Sequence, residues 1–364
     1  MLKTAIAVAF AVAAAYGAEY KVLAPTTQDN LTVYPIVSDT VRNTAAFLTL
    51  DEGVKSGQVV VAEEGSGAMV RPRHRSTSIQ DPWPERTPTE GGDTSRSSTA
   101  EVNRLMLVNN SDQPLILLAG EIVTGGKQDR VVGKDRIVPP HSNPIDLSVF
   151  CVEPHRWVET SEHFGSEQSF MAQPSVRQKA MASKDQRQVW DEVARSREAV
   201  VAAAPPAAAG ALHGTSSYAR TMGDSAVQSR VNQVAAPMEK SWDKALGELR
   251  ARNAVGAVIA VNGEIVWADI FASPSLLEKY WPKLVRSYAA EAVSANTSSK
   301  SQKANSEKEA QAFLDDFQAR HQSVESEPGV YRTTELDGNG FDAFVLTSLL
   351  PGENFNLHVA KMRL

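Results

Sequence analysis

The sequence predicts an α+β fold: largely antiparallel β-sheet, helices packed on one side, and long polar insert loops. Three observations carry this reading. Strand-period and helix-period segments come in blocks, without regular βαβ alternation. Asn262-Gly263 lies between two apolar runs, the preferred signal for a two-residue hairpin. Residues 71–100, 202–225 and 294–306 are too rich in small, polar and proline residues to bury themselves, so they read as solvent-facing inserts.

Each element follows from its local pattern. Leu31, Val33, Pro35 and Val37 alternate, as do Val59 and Val61, which predicts early strands. Asn103–Val108 and Leu115–Leu118, separated by Asn109-Asn110-Ser111-Asp112, read as a hairpin. Ile145, Leu147, Val149 and Cys151 share one face of a half-buried strand. Ser183 and Gln186 form a capping-box pattern ahead of a helix with Val189, Val193 and Val200 on one face. Pro237 is expected to divide the next helical stretch, whose second half carries Met238, Trp242, Ala245 and Leu249 as a core stripe.

Val255–Val261 and Glu264–Phe271 are the arms of the Asn-Gly hairpin. Ser273-Pro274 then opens a helix as cap and first residue, with Leu277, Trp281, Val285 and Tyr288 inward and a kink or break at Pro282. Phe313, Leu314 and Phe317 mark another helix. Tyr331–Leu336, Phe341–Leu350 and Phe355–Lys361 close the chain as strands, the first two joined by Asp-Gly-Asn-Gly.

Composition bounds the compartment and the partners. Lys3, the apolar run Ala5–Ala15 and the small-x-small triplet Ala15-Tyr16-Gly17 predict a secretory signal peptide over 1–17, cut ahead of Ala18. The run is well short of the roughly 20 residues a membrane-spanning helix needs. The expectation is a periplasmic or secreted single domain over 18–364, its core about 29–350. Cys151 is the only cysteine, so stability must come from core burial rather than an intrachain disulfide. A net charge of −6 and pI near 5.7 exclude a general nucleic-acid binder. No later segment is apolar enough to span a membrane, and no motif calls for a cofactor.

Gly120–Trp157 concentrates the unusual chemistry. Gly125-Gly126-Lys127 lacks the first glycine and the final Ser or Thr of a phosphate loop, which are replaced by Glu121 and Gln128. A tight turn between strands explains both glycines. Around it stand Glu121, Lys127, Gln128 and Arg130, a set able to hold an anionic group beside backbone N–H groups. Cys151, on an apolar strand face, reads as core rather than as a nucleophile served by His155 or His163. No HExxH, paired-cysteine or GxSxG setting is present. Glu153, Arg156 and Trp157 follow a strand end and read either as displayed groups or as a salt bridge beside a lid over the core. Arg286 either pairs with Glu121 or Glu153 or faces a ligand.

Three stretches carry a resemblance: LLAGEIVTGGKQDRVV (Leu117–Val132), DLSVFCVEPHRW (Asp146–Trp157) and GAVIAVNGEIVWADIFASPSLLEKYWPKLVRSYAAEAV (Gly256–Val293). Together they resemble the ARG-and-rhodanese-phosphatase-superfamily-associated protein domain, a bacterial family of unknown biochemical function. The resemblance implies, at most, a link to nucleotide or ADP-ribose metabolism. The polar positions it marks are Glu121, Lys127, Gln128 and Arg130, then Cys151, Glu153, Arg156 and Trp157, then Tyr280, Trp281, Lys283, Arg286 and Tyr288. The expected function is an exported domain binding a small anionic (nucleotide- or phosphate-like) ligand or a partner protein. Its candidate ligand residues are Glu121, Lys127, Gln128, Arg130, Glu153, Arg156 and Arg286. One alternative is a hydrolase of a phosphorylated or ADP-ribose-like substrate, with Glu121 or Glu153 as base and Lys127 and Arg130 stabilising charge. The other is an envelope scaffold whose inserts make the contacts.

Overall fold

Asn262 (φ 53°) and Gly263 (φ 81°) both take the left-handed backbone that a tight hairpin requires, and this turn sets the centre of the molecule. The computed structural model describes residues 20–63, 105–126, 128–153, 164–165, 170–205, 210, 212–295 and 306–364. The expected signal peptide, the 71–100 insert and most of the 294–306 insert fall outside these residues.

The strands begin with β1 (Tyr20–Val22), β2 (Thr26–Gln28), β3 (Leu31–Ser38), β4 (Leu48–Thr49), β5 (Val59–Glu63) and β6 (Leu105–Asn109). Short ones follow: β7 (Leu115–Leu117), β8 (Ile122–Val123), β9 (Arg130–Val132), β10 (Arg136–Val138), β11 (Ile145–Asp146) and β12 (Val149–Cys151). The last are β13 (Ala254–Val261), β14 (Glu264–Phe271), β15 (Ala319–Glu327), β16 (Tyr331–Gly338), β17 (Phe341–Ser348) and β18 (Phe355–Arg363). Helices are α1 (Leu50–Lys55), α2 (Pro174–Gln178, prolonged by a π turn Lys179–Ser183), α3 (Gln186–Ala203) and α4 (Tyr218–Gly223). Three more are α5 (Ser225–Ala251), α6 (Pro274–Ser294) and α7 (Glu307–Asp315).

Nine strands make one antiparallel sheet in the order β1-β3-β13-β14-β18-β17-β16-β15, with β2 also on β3. Both faces of its central strands are covered. Ala257, Ile259 and Val261 of β13 enter one core with Val176, Val193 and Tyr288 of the helices. Val258 and Ala260 enter a second core under α7, through Ala310 and Leu314. Among the described residues, α2 to α6 thus gather on one side of the large sheet, as expected, with α7 on the other and α1 in the small-sheet core. Lys361, buried at the C-terminal end of α7, donates to Phe313 O and Asp316 O and lies among the rings of Phe313, Phe317 and Phe341. Three small three-stranded sheets (β10-β7-β4, β11-β6-β5 and β12-β9-β8) enclose a third core that includes Leu50, Val61, Leu107, Leu117 and Val123. The fold is α+β with mostly antiparallel sheets.

Several local expectations are corrected. β6 and β7 are strands but not a hairpin: β6 pairs with β5 and β11, β7 with β4 and β10. Asn109 turns the chain between them, donating to Gln113 O, Val138 O and Pro139 O and accepting from Ser111. Those side-chain bonds replace the ladder a hairpin would have formed. The expected single strand 145–151 is two pieces in different sheets, broken at Ser148, whose φ is 51°.

The α3 cap is Asp185, accepting from Gln188 N, rather than Ser183, which belongs to the π turn. Gln186 instead bonds both backbone groups of Cys151. Pro237 does not divide its helix, and α6 also continues through Pro282. Each proline removes one helical hydrogen bond, a cost of about 3 kcal/mol. Burial offsets it: Met238 and Trp242 on one helix and Trp281 and Val285 on the other are in the core. Within 202–225, α4 is buried through Tyr218 and Met222, so that part is core rather than a solvent-facing excursion.

Gly256 meets β14 so closely that an added Cβ would stand 2.2 Å from Asp269 O. Gly256→Ala is expected to lower stability by at least ~2 kcal/mol, through overpacking that backbone cannot yield to. The midpoint of urea unfolding by circular dichroism measures it; an unchanged midpoint would contradict the close approach.

Candidate functional site

The charged groups most able to do chemistry are sealed inside. Asp269 on β14 takes a core position between Trp267 and Phe271, where strand alternation would place an apolar residue. It is held by four donors. Arg177 of α2 binds it bidentately at 2.8 and 2.9 Å, Tyr288 Oη at 2.5 Å and His358 Nε2 at 3.2 Å. The other ring nitrogen of His358 faces Asp135 at 2.5 Å, and Asp135 also accepts from Ala119 N. With a carboxylate at each ring nitrogen, both must carry hydrogen, so His358 is an imidazolium. Burial alone would lower its pKa, but Asp135 and Asp269 outweigh that and push it up to about 9. Burial likewise favours neutral Asp269, yet Arg177 and His358 hold it far below the usual carboxylate range. Two cations and two carboxylates cancel, and Arg177, Asp269 and His358 are each at most 1% exposed.

The LLAGE segment is shaped around this cluster. Arg177 donates to Ala119 O and runs across Gly120, whose φ is 95° and where a Cβ would lie 2.5 Å from Arg177 Cγ. Glu121 accepts from Leu118 N and pairs with Lys283 of α6 at 2.7 Å. Lys283 also binds Asp51 of α1 at 2.6 Å. Burial works against its charge, but the two carboxylates raise its pKa above the usual lysine value.

The residues marked by the sequence therefore separate. Gln128, Arg130 and Glu153 come together at the Gly-Gly turn: Arg130 donates to Gln128, and Asp129 N donates to Glu153. All three are buried, as is Glu121, which turns away to α6. Arg286 pairs with neither Glu121 nor Glu153. It bonds Asn232 at 2.6 Å and also Gln228 and Glu239, tying α6 to α5. Cys151 is buried, and burial pushes its thiol pKa up. Lys127, Arg156, Trp157, His155 and His163 lie outside the described residues. Among the described residues, no group of three His, Cys, Asp or Glu is arranged to hold a metal ion.

A cleft of about 380 Å³ lies elsewhere, between the small sheets, the π turn and the β15–β16 hairpin. Its floor is apolar, with Val149, Phe150, Met181 and Phe344. Its rim carries two ion pairs, Lys134–Glu325 at 2.6 Å and Lys184–Glu335 at 2.5 Å. Ser148 and Lys184, both lining it, hold left-handed backbone at φ 51° and 50°. Non-glycine residues in that region store strain and gather at binding sites, as π turns do. A smaller groove of about 200 Å³ lies over the stacked pair Trp242–Trp281, whose rings are 3.9 Å apart. Sequence reasoning missed Lys134, Lys184, Arg177, Asp135, Asp269 and His358. A lone acid in IVWADIF and a lone histidine in NLHVA were the available signals for the last two.

A family model described as ARG and Rhodanese-Phosphatase-superfamily-associated Protein domain matches residues 19–360. No curated protein and no solved structure matches the chain.

Stability should follow the sealed cluster as pH changes. The His358 contribution is fully present below its unfolded pKa of about 6.5 and is lost as pH rises through about 9. The Asp269 contribution is present above about pH 4 and is lost as pH falls below that. Lys361, pushed down to about 8 by burial, acts in the opposite sense on the alkaline side, so the His358 part must be isolated by mutation. His358→Gln is expected to cost about 3–5 kcal/mol at pH 6, because Asp135 loses its charge partner. The loss relative to the native chain should shrink by pH 9.5. Urea unfolding of both proteins across that range measures this; a pH-independent difference would rule out the imidazolium.

Proposed function

The chain belongs to the ARG and Rhodanese-Phosphatase-superfamily-associated Protein domain family, and from that premise we propose that it is an exported binding domain for a small anionic ligand with an apolar or aromatic body, of nucleotide-like chemistry. One observation carries the reading: the cleft sets two lysines, Lys134 and Lys184, above an apolar floor that includes Phe150 and Phe344. Exposed Lys–Glu pairs are worth only about 0–1 kcal/mol. An incoming phosphate can therefore take both ammonium groups from Glu325 and Glu335 at small cost, while the rings accept a flat apolar group. Binding rather than turnover is favoured because the acid–base groups with the strongest environments, His358 and Asp269, are buried among their own partners. Export is supported by the Lys3–Gly17 pattern. At the Gly-Gly turn, Gln128, Arg130 and Glu153 are buried in internal bonds, while Glu121 is held by Lys283 and Arg286 by α5.

A thermal-shift titration with inorganic phosphate, nucleotides, ADP-ribose and phosphosugars tests the reading. A ligand at a hundredfold excess over Kd should add about 2.7 kcal/mol of stability. The gain should vanish in Lys134→Ala/Lys184→Ala and persist in Lys127→Ala. The reverse pattern would move the site to the Gly-Gly turn, and no shift with any compound would defeat the anionic-ligand reading.

A further inference from the structure

β15 gains little from the body that carries it. All of its residues from Arg320 to Glu327 are exposed, on both faces of the strand. It ends the nine-stranded sheet, and β16 is its partner among the described residues. Val324, 54% exposed, is one of three large hydrophobic residues left in solvent among the described residues. A ribbon held on one side with neither face buried is marginal in water. Nine residues of extended backbone at a sheet edge are a template for a further strand.

The charge order of β15 indicates which strand. Arg320 and His321 occupy its first half, Glu325 and Glu327 its second, with Gln322, Ser323 and Val324 between. Inside the chain these charges have modest surface partners: Asp337 for Arg320 and His321, Lys134 for Glu325. A parallel copy would align like with like. An antiparallel copy related by a two-fold axis at Ser323 brings the Arg320–His321 end of each strand to the Glu325–Glu327 end of the other. His321 then stands across from Glu325 twice, and Val324 lies beside Gln322 of the partner. A two-fold axis uses the same edge of both copies, so the pairing closes at two copies.

We propose that this protein forms a two-fold dimer through antiparallel pairing of β15 with β15 of a second copy, making one continuous sheet. The proposal does not rest on the ligand reading. Ser323→Cys tests the axis directly. Mild oxidation should give a disulfide-linked dimer in high yield, as opposed residues of an antiparallel pair lie about 5 Å apart. Sedimentation equilibrium tests the charges. Arg320→Glu/His321→Glu and Glu325→Lys/Glu327→Lys should each dimerise at least about tenfold more weakly than the native chain, and an equimolar mixture should regain dimer. Their exposure leaves folding intact, as circular dichroism would verify. A native chain that stays monomeric overturns the proposal. So does unlinked Ser323→Cys, or a mixture no tighter than its components.

Discussion

The bidentate pair of Arg177 and Asp269, completed by His358 and Asp135, is the constraint on which the arrangement of layers depends. Asp269 and His358 belong to adjacent central strands of the large sheet, Arg177 to the helical layer and Asp135 to the loop between β9 and β10. Each ion is buried, and an isolated buried ion costs several kcal/mol. None of these elements can therefore shift without exposing a charge to an apolar interior. Apolar contacts would tolerate small displacements; this geometry does not. Glu121, Lys283 and Asp51 repeat the device at the neighbouring junction, where α6 meets α1 and the small sheets. The two clusters fix where the small-sheet module sits, and hence the cleft it forms with the β15–β16 hairpin.

Local rules made much of the architecture legible. Asn262-Gly263 gave the central hairpin because few residues accept that backbone. Ser273-Pro274 gave the start of α6, where Ser273 indeed accepts from Leu276 N. The stripes Val189-Val193-Val200 and Leu277-Trp281-Val285-Tyr288 are buried as spaced. What escaped was decided at a distance. Whether β6 turns back onto β7 depends on where the Asn109 amide finds carbonyls, and two of the three come from Val138 and Pro139. β15 has no apolar alternation to read, since neither of its faces is buried.

The polar mixture at Gly120–Trp157 was a true signal with a mixed meaning. Glu121 and Gly120 are explained by bonds and close packing inside the protein, and their partners Lys283 and Arg177 lie far along the chain. Sequence spacing cannot reveal such pairs. The cleft was invisible for a related reason: Lys134 and Lys184 come from separate segments, and ordinary-looking lysines come to line one cleft only once the β15–β16 hairpin and the π turn stand together.

The order of strands in the large sheet bears on how the chain reaches its folded state. β3, near the beginning, pairs along its length with β13, which follows the small-sheet module and five of the helices. β13 to β18 can assemble from the last part of the chain, through neighbouring hairpins and the β14–β18 pairing. Leu31–Ser38, buried throughout, has only the short β1 and β2 beside it until β13 is made. Pairings between distant segments are slow, because loop-closure entropy must be overcome before they return any energy. An early strand is thus among the last to complete its pairing, and until then its long edge is the part of this protein most in need of shelter from its neighbours.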